Sequence, residues 1–289
     1  MILDVRNLRI EFSIEGRRSV PVRNVSFSIP DKGRVALVGE SGCGKSLTAL
    51  ALGGLVDRAK ISGTVVGKPR IAYVFQNPMQ SLNPVMRVGA QIEEAMRPTT
   101  NNQQPTTGNL LSAVGLPSGT ERKYPCELSG GQQQRVMIAM ALAQEPDLLI
   151  ADEPTTALDV TTQREVLDLI RRIADERGTA VLLITHNLGL VARYSDYVNV
   201  MYAGEIVEHG ETKELLRNPL HPYTQGLVAA VPRLSAPKDA PLADIPGTVP
   251  PPWNWPQGCA FHPRCPKFKP ACASPDFNGL CPCIGENRK

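Results

Sequence analysis

Short apolar segments, each bounded by glycine, proline or polar residues, recur along the chain and predict strands. They are residues 1–12, where apolar and polar positions alternate, and the apolar runs 34–39, 70–75, 147–153 and 179–186. Between the last two runs, residues 161–176 have the spacing of an amphipathic helix. Continuous apolar strands that alternate with helices indicate a parallel sheet covered on both faces, so the predicted fold class is α/β.

The other segments suggest how the chain is divided. Residues 84–143 have a helical pattern, interrupted by the polar, uncharged stretch 98–109, which predicts a surface loop. Eight prolines lie between positions 231 and 256, a density that excludes regular structure and predicts a linker. We therefore expect a main domain over residues 1–231 with a helical subdomain at about 84–143, a proline-rich linker over 232–256 and a C-terminal module over 257–289.

Composition excludes some classes of protein. Hydrophobic residues make up 42% of the 289 residues, which is enough for a sizeable core. The formal net charge of +3 is near neutral for this length and gives no indication of a nucleic-acid partner. The longest nearly apolar stretch, residues 47–56, is shorter than the ~20 residues that span a bilayer, and the N-terminus lacks a signal-peptide pattern. We expect a cytosolic protein that reaches any membrane through a partner.

A phosphate-binding loop is predicted at residues 39–46, which read GESGCGKS and match G-x-x-x-x-G-K-[ST] in full. The match follows the strand predicted at 34–39 and precedes a helix, as the mechanism requires. Lys45 would reach the β- and γ-phosphates, and the Ser46 hydroxyl would bind Mg²⁺. The residues whose backbone would cradle the phosphates are Gly39, Glu40, Ser41, Gly42, Cys43 and Gly44.

The apolar run at 147–153 ends in two acids. Asp152 could hold Mg²⁺ through water, and Glu153 beside it could orient or deprotonate an attacking water. Strand ends often carry acids, so this pair alone is weak evidence. Together with the phosphate loop it predicts a site that hydrolyses a nucleotide.

A third motif begins at Leu128, where the chain reads LSGGQQQR before a long helix. The phosphate loop, LSGGQ and the strand that ends in Asp-Glu, in this order, resemble the ATP-binding cassette of ABC transporters. The resemblance implies a P-loop NTPase fold with a RecA-like parallel-sheet core, an N-terminal antiparallel β subdomain, a helical subdomain and a small irregular cysteine-rich C-terminal module. It also implies hydrolysis of ATP with Mg²⁺, by two cassettes that sandwich two ATP molecules head to tail.

The same resemblance assigns roles to single residues. Gln76 would contact Mg²⁺ and water near the transmembrane partner, and His186 would contact the γ-phosphate; with Glu153 they form the predicted catalytic set. Phe12 is the candidate for stacking on adenine, with a place in the core of the N-terminal strands as the alternative. The residues that would complete the neighbouring cassette's ATP site are Ser129, Gly130, Gly131, Gln132 and, in the loop that couples the two sites, Asp159.

Longer segments narrow the resemblance to the oligopeptide, dipeptide and nickel subfamily of ABC importers. They are residues 76–89, 137–163, 218–232 and 258–272. This implies an ATPase on the cytoplasmic face of the inner membrane that powers peptide uptake. Its partners would be a second ATPase subunit, identical or homologous, two permease subunits and, indirectly, an extracytoplasmic solute-binding protein. Nickel or another small solute as cargo stays open, as does a soluble ABC-type ATPase.

Five of the seven cysteines lie in the last 31 residues. In a reducing cytosol such a group favours a metal over disulfides. Subfamily members with a similar tail carry a four-iron four-sulfur cluster, and the matching positions are Cys259, Cys265, Cys272 and either Cys283 or Cys281. Zinc, and cysteines that are free or disulfide-linked, remain alternatives, because thiolates suit both metals.

Overall fold

The computed structural model describes residues 1–14, 16–96, 105–156, 158–232 and 243–274. Its strands are β1 (Leu3–Ile14), β2 (Arg17–Ile29), β3 (Arg34–Val38), β4 (Lys60–Val66), β5 (Ile71–Val74), β6 (Leu148–Asp152), β7 (Ala180–Thr185), β8 (Tyr197–Tyr202) and β9 (Glu205–Glu211). Its helices are α1 (Lys45–Leu52), α2 (Pro78–Ser81), α3 (Val88–Ala95), α4 (Thr107–Ala113), α5 (Gly130–Ala143), α6 (Val160–Arg177), α7 (Leu188–Tyr194), α8 (Thr212–Arg217) and α9 (Pro222–Ala229).

These elements belong to two units. The first unit comprises Met1–Ile2, Ile29–Gly33 and Gly67–Leu183. The second comprises Leu3–Ser28, Arg34–Val66 and, as far as the structure describes it, Ile184–Lys289. The division into a main domain, a linker and a C-terminal module stays a prediction.

The first unit contains β7, β6 and β5 side by side in that order. β5 and β6 run parallel, with Ile71 opposite Leu148 and Val74 opposite Ala151. Four of the five residues of β6 and all six of β7 are buried, which is why these strands read as continuous apolar runs. The strands predicted at 70–75, 147–153 and 179–186 are confirmed.

In two long helices of the first unit, burial again follows the apolar residues. α6 buries one stripe, which includes Val166, Ile170 and Ile173, and it ends at Gly178 in the left-handed conformation with a φ of 66°. The helix predicted over 161–176 is confirmed. α5 buries nine residues, among them Val136, Ile138 and Leu142, so it lies deep in the unit.

The predicted loop at 98–109 is wrong at its C-terminal end. Residues 97–104 lie outside the described part of the chain, but α4 begins at Thr107, within the polar stretch. The side chain of Thr106 accepts a hydrogen bond from the backbone N–H of Asn109 at 3.2 Å. This N-cap lets a short helix start without apolar residues in its first turn.

The strands of the second unit lie in the order β4-β1-β2-β9-β8-β3. β1 and β4 are antiparallel, which confirms an antiparallel N-terminal pair. β3 and β8 are parallel over Val35–Val38, and β8 and β9 are antiparallel. All but the first residue of β3 are buried, as expected for the strand that leads into the predicted phosphate loop.

Three aromatic rings form the centre of the second unit's core. The ring centroids of Tyr202 and Tyr223 lie 4.6 Å apart, and Phe261 packs edge-on against Tyr202 at 5.2 Å. Ala36 and Val38 of β3 belong to the same buried cluster. A residue close to the C-terminus therefore packs in one core with the strand that precedes the phosphate loop.

The described part of the proline-rich segment also contacts this unit. The backbone N–H of Val20 donates to the carbonyl oxygen of Pro252 at 3.0 Å, and the indole N–H of Trp255 donates to the carbonyl oxygen of Val20 at 2.8 Å. Proline lacks the N–H that would extend a ladder, and the indole supplies that donor instead. Residues 252–255 are thus fixed to β2.

His221 lies at the start of α9 and is 3% exposed. Its Nδ1 accepts a hydrogen bond from the backbone N–H of Tyr223 at 3.1 Å, so the imidazole caps the helix in its neutral form. Its own backbone N–H donates to the carboxylate of Glu208 at 2.9 Å. Burial lowers the pKa of His221 from 6.5 to about 4.

We expect His221→Asn to reduce the loss of stability in acid. Below pH 6.5 the unfolded chain binds a proton at His221 that the folded chain excludes until about pH 4, so folding loses stability as the pH falls through this window. The relative loss approaches ~3 kcal/mol at pH 4, since each pKa unit is worth 1.36 kcal/mol. Asparagine keeps the cap but cannot titrate. Urea unfolding of the wild type and of His221→Asn between pH 7.5 and 4 measures the free energy of unfolding. Parallel curves of this free energy against pH would contradict the prediction.

Candidate functional site

The predicted phosphate loop joins β3 to α1 in the second unit. Gly44, the residue before α1, adopts the left-handed conformation with a φ of 102°. Lys45 is buried, and its Nζ donates to the carbonyl oxygens of Gly39 at 2.8 Å and Glu40 at 2.9 Å. The ammonium group is thus held against its own loop, while Ser46 is exposed. A loop that leads into a helix in this way can offer backbone N–H groups to an anion.

Two glycines make this turn sterically possible. A Cβ on Gly39 would lie 2.1 Å from the carbonyl oxygen of Met201, and one on Gly44 would lie 2.7 Å from that of Pro21. Both obstacles are backbone, which cannot rotate away. The loop therefore requires glycine at these two positions for space, and at Gly44 also for its positive φ.

The other residues of the loop differ in exposure. Ser41 and Gly42 are exposed, and Cys43 is fully buried. Burial raises the pKa of the Cys43 thiol, although the nearby Lys45 opposes the shift. Cys43 therefore packs as a neutral side chain beneath the loop.

In the first unit, Gln76 and Glu153 are brought together. The Nε2 of Gln76 donates to Oε2 of Glu153 at 3.1 Å, and the hydroxyl of Thr156 donates to the same oxygen at 3.0 Å. Asp152 is the last residue of β6, and Glu153 follows it with a φ of 44°. A left-handed conformation costs a non-glycine residue roughly 1–2 kcal/mol. The two hydrogen bonds and this backbone fix the direction of the Glu153 carboxylate.

The LSGGQ segment forms a capped helix start in the first unit. The hydroxyl of Ser129 accepts from the backbone N–H of Gln132 at 3.3 Å, and the side chain of Gln132 accepts from the backbone N–H of Ser129 at 3.0 Å. This reciprocal pair is a capping box, and Gly130 and Gly131 open α5 directly after it. Ser129 and Gly130 are exposed.

Asp159 caps the next long helix. Its Oδ1 accepts from the backbone N–H groups of Thr161 and Thr162, both at 3.0 Å, and its Oδ2 accepts from the Thr162 hydroxyl at 2.6 Å. The hydrogen bonds from Thr162, together with that from Thr161, lower the pKa of Asp159. The carboxylate thus has a structural task at the start of α6.

Two further predicted residues lie in the second unit. His186 comes directly after β7 and is exposed. Phe12 lies on β1 and is partly buried. The predicted site residues are therefore distributed over both units: the phosphate loop, His186 and Phe12 in the second, and Gln76, Asp152, Glu153, the LSGGQ residues and Asp159 in the first.

The described tail cysteines lie in the second unit's core. Cys259 and Cys272 are buried, Cys265 packs against the same cluster, and the backbone N–H of Cys259 donates to the carbonyl oxygen of Cys272 at 2.8 Å. Within the described ranges, no group of three His, Cys, Asp or Glu side chains could hold a metal ion. Cys281 and Cys283 lie outside the described residues.

Sequence reasoning missed two side chains that hold the phosphate loop. The hydroxyl of Tyr223 accepts from the backbone N–H of Glu40 at 2.8 Å. The guanidinium of Arg264 lies 3.0 Å from the carboxylate of Glu40. Neither residue belongs to a nucleotide-binding motif, so no spacing in the sequence indicated them.

Two family models match the chain. The model described as "ABC transporter" matches residues 22–156, and the one described as "Oligopeptide/dipeptide transporter, C-terminal region" matches residues 207–272. A protein of Brucella abortus (strain 2308), named "Putative peptide import ATP-binding protein", is 42% identical over 95% of this chain and 90% of its own length. A protein of Brucella ovis with the same description is 44% identical over 94% and 91%.

Solved structures show the same fold. The cbiO1 protein of Clostridium perfringens, described as part of the ABC transporter complex cbiONQ, has a TM-score of 0.65 and 27% identity over 75% of this chain and 91% of its own. The dimeric MJ0796, described as a bacterial ABC transporter cassette, has a TM-score of 0.61 and 26% identity over 73% and 98%.

Fold and matches together define an ATP-binding cassette, an enzyme that hydrolyses ATP. The chain belongs to the ABC transporter family. Among the helices that the structure describes, none is both long and apolar enough to cross a membrane.

We expect Gly39→Ala to destabilise the second unit strongly. The new methyl group meets the Met201 carbonyl oxygen, so β3 or β8 must shift, at a cost of ~3 kcal/mol, the upper range for overpacking. Gly42→Ala is the matched control in the same loop: its Cβ meets nothing within 4 Å, and only its positive φ costs roughly 1–2 kcal/mol. Chemical denaturation measures both. Equal losses would show that the close approach to Met201 is unimportant.

Proposed function

We propose that this ATPase powers the import of peptides through partner membrane subunits. The observation that carries the proposal is the match of residues 207–272 to the C-terminal region of oligopeptide and dipeptide transporters. The Brucella relatives, which carry peptide import in their names, support it over nearly the whole chain.

The nucleotide site is assigned from its groups. Backbone N–H groups of residues 39–46 and the Lys45 ammonium would bind the phosphates of ATP. Ser46, Gln76 and Asp152 supply the hydroxyl, amide and carboxylate oxygens that Mg²⁺ prefers, and the ion would neutralise charge on the phosphates. His186 would contact the γ-phosphate, and Phe12 would stack on adenine.

Glu153 is the proposed general base. Its Oε2 accepts hydrogen bonds from Gln76 and Thr156, which orient the carboxylate that would take a proton from the attacking water. The left-handed backbone at Glu153 supports this role, because strained residues concentrate at functional sites.

Residues 129–132 and Asp159 would serve the ATP of a second cassette. The exposed start of α5 offers backbone N–H groups and a helix dipole to an anion, which supports the assignment. The second cassette would be a homologous or identical subunit, and closure and reopening of the pair would drive the permease subunits. Met79 and Val85, 74% and 82% exposed soon after Gln76, support a protein contact there. The chain would thus act on the cytoplasmic face of the membrane.

We expect Glu153→Gln to bind Mg-ATP as wild type does while its turnover falls at least ~100-fold, because glutamine cannot accept the proton but leaves the phosphate contacts intact. The ATP-bound dimer should accumulate and elute earlier in size-exclusion chromatography. Glu165→Gln is the matched control, since Glu165 lies on the same unit's α6 and pairs with Arg135 at the surface. Undiminished hydrolysis in Glu153→Gln would remove Glu153 from its role.

The same variant tests the cargo. Cells that contain the whole transporter should accumulate labelled tripeptide with the wild-type chain and not with Glu153→Gln. A different outcome would be that ATP turnover depends on Glu153, but that the cells need this chain to take up labelled nickel and do not need it for tripeptide. In that case the peptide assignment is wrong while the ATPase assignment stands.

The tail cysteines are assigned separately, as ligands of a four-iron four-sulfur cluster. Cys259, Cys265 and Cys272 belong to one buried region, which would shield a cluster from water and supports the assignment. In the described structure these cysteines do not converge on one ion, but a four-iron cluster takes its four thiolates at separate irons, so its ligands need not meet at a single point. The fourth ligand would be Cys283, with Cys281 as the alternative, so the proposal depends on residues outside the described part of the chain. The cluster would tie the end of the chain to the core.

We expect anaerobically purified protein to be brown and to contain about four irons per chain, the number for one such cluster. Cys259→Ser should lose the colour, whereas Cys126→Ser, the matched control at an exposed cysteine of the first unit, should keep it. Only one of the two variants Cys281→Ser and Cys283→Ser should lose the brown colour, because only one of these cysteines would be the fourth ligand. Stoichiometric zinc in a colourless preparation would replace the iron assignment, and the absence of any metal would refute both.

A further inference from the structure

The side chain of Arg264 is buried, although it lies close to the chain's end. It is 6% exposed, and its guanidinium is surrounded by acceptors. Nε donates to the carbonyl oxygen of Pro246 at 2.8 Å, and Nη2 donates to that of Ile245 at 3.0 Å. A buried guanidinium also requires a negative charge nearby.

Glu40, the second residue of the phosphate loop, supplies that charge. Nη1 of Arg264 donates to Oε1 of Glu40 at 3.2 Å and to Oε2 at 3.0 Å. It also lies 3.4 Å from the hydroxyl of Tyr202. The two charged residues are 224 positions apart, so the ion pair ties the C-terminal segment directly to the loop.

Packing holds the guanidinium in this place. Its central carbon lies 5.7 Å from the ring centroid of Tyr202 and 5.9 Å from that of Phe261, both of which are buried. Cation–π contacts of this kind favour arginine over lysine. Arg264 therefore differs from a surface ion pair, whose partners are free to move apart.

Glu40 is held at three points. Arg264 binds its carboxylate, the Tyr223 hydroxyl accepts from its backbone N–H at 2.8 Å, and its carbonyl oxygen accepts from Lys45 Nζ at 2.9 Å. Arg264 and Tyr223 thus hold the residue whose carbonyl oxygen sets the position of the Lys45 ammonium. A shift of Glu40 would move both the loop backbone and Lys45.

We propose that Arg264 is a positioning residue for ATP binding, which acts through Glu40 to hold the phosphate loop in its binding conformation. The inference rests on the nucleotide role proposed above for residues 39–46. It gives the C-terminal segment a part in the nucleotide site, since Tyr223 and Arg264 both lie within residues 207–272.

The experiment is a double-mutant cycle in the full chain, with Arg264→Gln, Glu40→Gln and the double variant. Each single change should raise the Kd for Mg-ATP about tenfold, since small misplacements of binding groups are costly. The double variant should be no weaker than the worse single variant, because the two residues act as one unit. Arg264→Lys should bind Mg-ATP more tightly than Arg264→Gln but less tightly than the wild type, because lysine keeps the charge and loses the planar set of guanidinium donors.

Arg34→Gln is the matched control. Arg34 begins β3 and binds Asp196 through two hydrogen bonds of 3.1 Å, at the end of the strand opposite the phosphate loop. Its loss should lower the melting temperature and leave the Kd for Mg-ATP unchanged. If Arg264→Gln lowers the melting temperature in the same way with an unchanged Kd, Arg264 is structural only and the inference is wrong.

Two further measurements keep the result unambiguous. The iron content of each variant is determined, and a weaker Kd found only where iron is lost would assign the effect to the neighbouring cysteines and overturn the inference. If Arg264→Gln does not fold, the Kd values of Glu40→Gln and Arg264→Lys for Mg-ATP test the inference instead. Wild-type Kd values in both variants would overturn the inference. Failure of the wild type to bind Mg-ATP would instead refute the nucleotide assignment itself.

Discussion

The close approach of the loop at 39–46 to neighbouring backbone is the constraint on which the predicted nucleotide site depends. Gly39 fits against the carbonyl of Met201 and Gly44 against that of Pro21, with no room for a Cβ. Because the turn is so tight, Lys45 can fold back and donate to two carbonyls of its own loop. Those hydrogen bonds offset the burial of its ammonium group. The position of Lys45 thus follows from the shape of the loop backbone.

Sequence patterns predicted the parts of this site that depend on local structure. The buried strands read as apolar runs because both faces are covered, and LSGGQ predicted a helix start that the capping box of Ser129 and Gln132 confirms. The Asp-Glu pair at the end of β6 was predicted from the same kind of local pattern. Neither the left-handed backbone of Glu153 nor its hydrogen bond from Gln76, 77 positions away, follows from such a pattern. The hydrogen bond forms because β5 and β6 lie side by side, which brings Gln76 next to Glu153.

The contacts of Glu40 mark the limit of such reasoning more clearly. Arginine in an irregular, cysteine-rich module is expected to be exposed, since charged residues are seldom buried without a partner. Here the partner is 224 residues away, and the guanidinium packs against the rings of Tyr202 and Phe261, which are themselves far apart in sequence. No pattern within one segment carries that information. The start of α4 at Thr107 was missed for a different reason. Its signal is purely local, the N-cap at Thr106, and it lies in a stretch without apolar periodicity.

Proline density predicts the absence of regular structure but not the absence of packing. The carbonyls of Ile245, Pro246 and Pro252 all accept hydrogen bonds from other parts of the second unit. A proline lacks the N–H donor but keeps this acceptor. Arg264 donates to two of those carbonyls and forms an ion pair with Glu40 of the predicted phosphate loop. Cys265 is covalently next to Arg264 and packs against the same core. Arg264 therefore connects the neighbouring Cys265, through one guanidinium, to the carboxylate of Glu40 in the loop at 39–46.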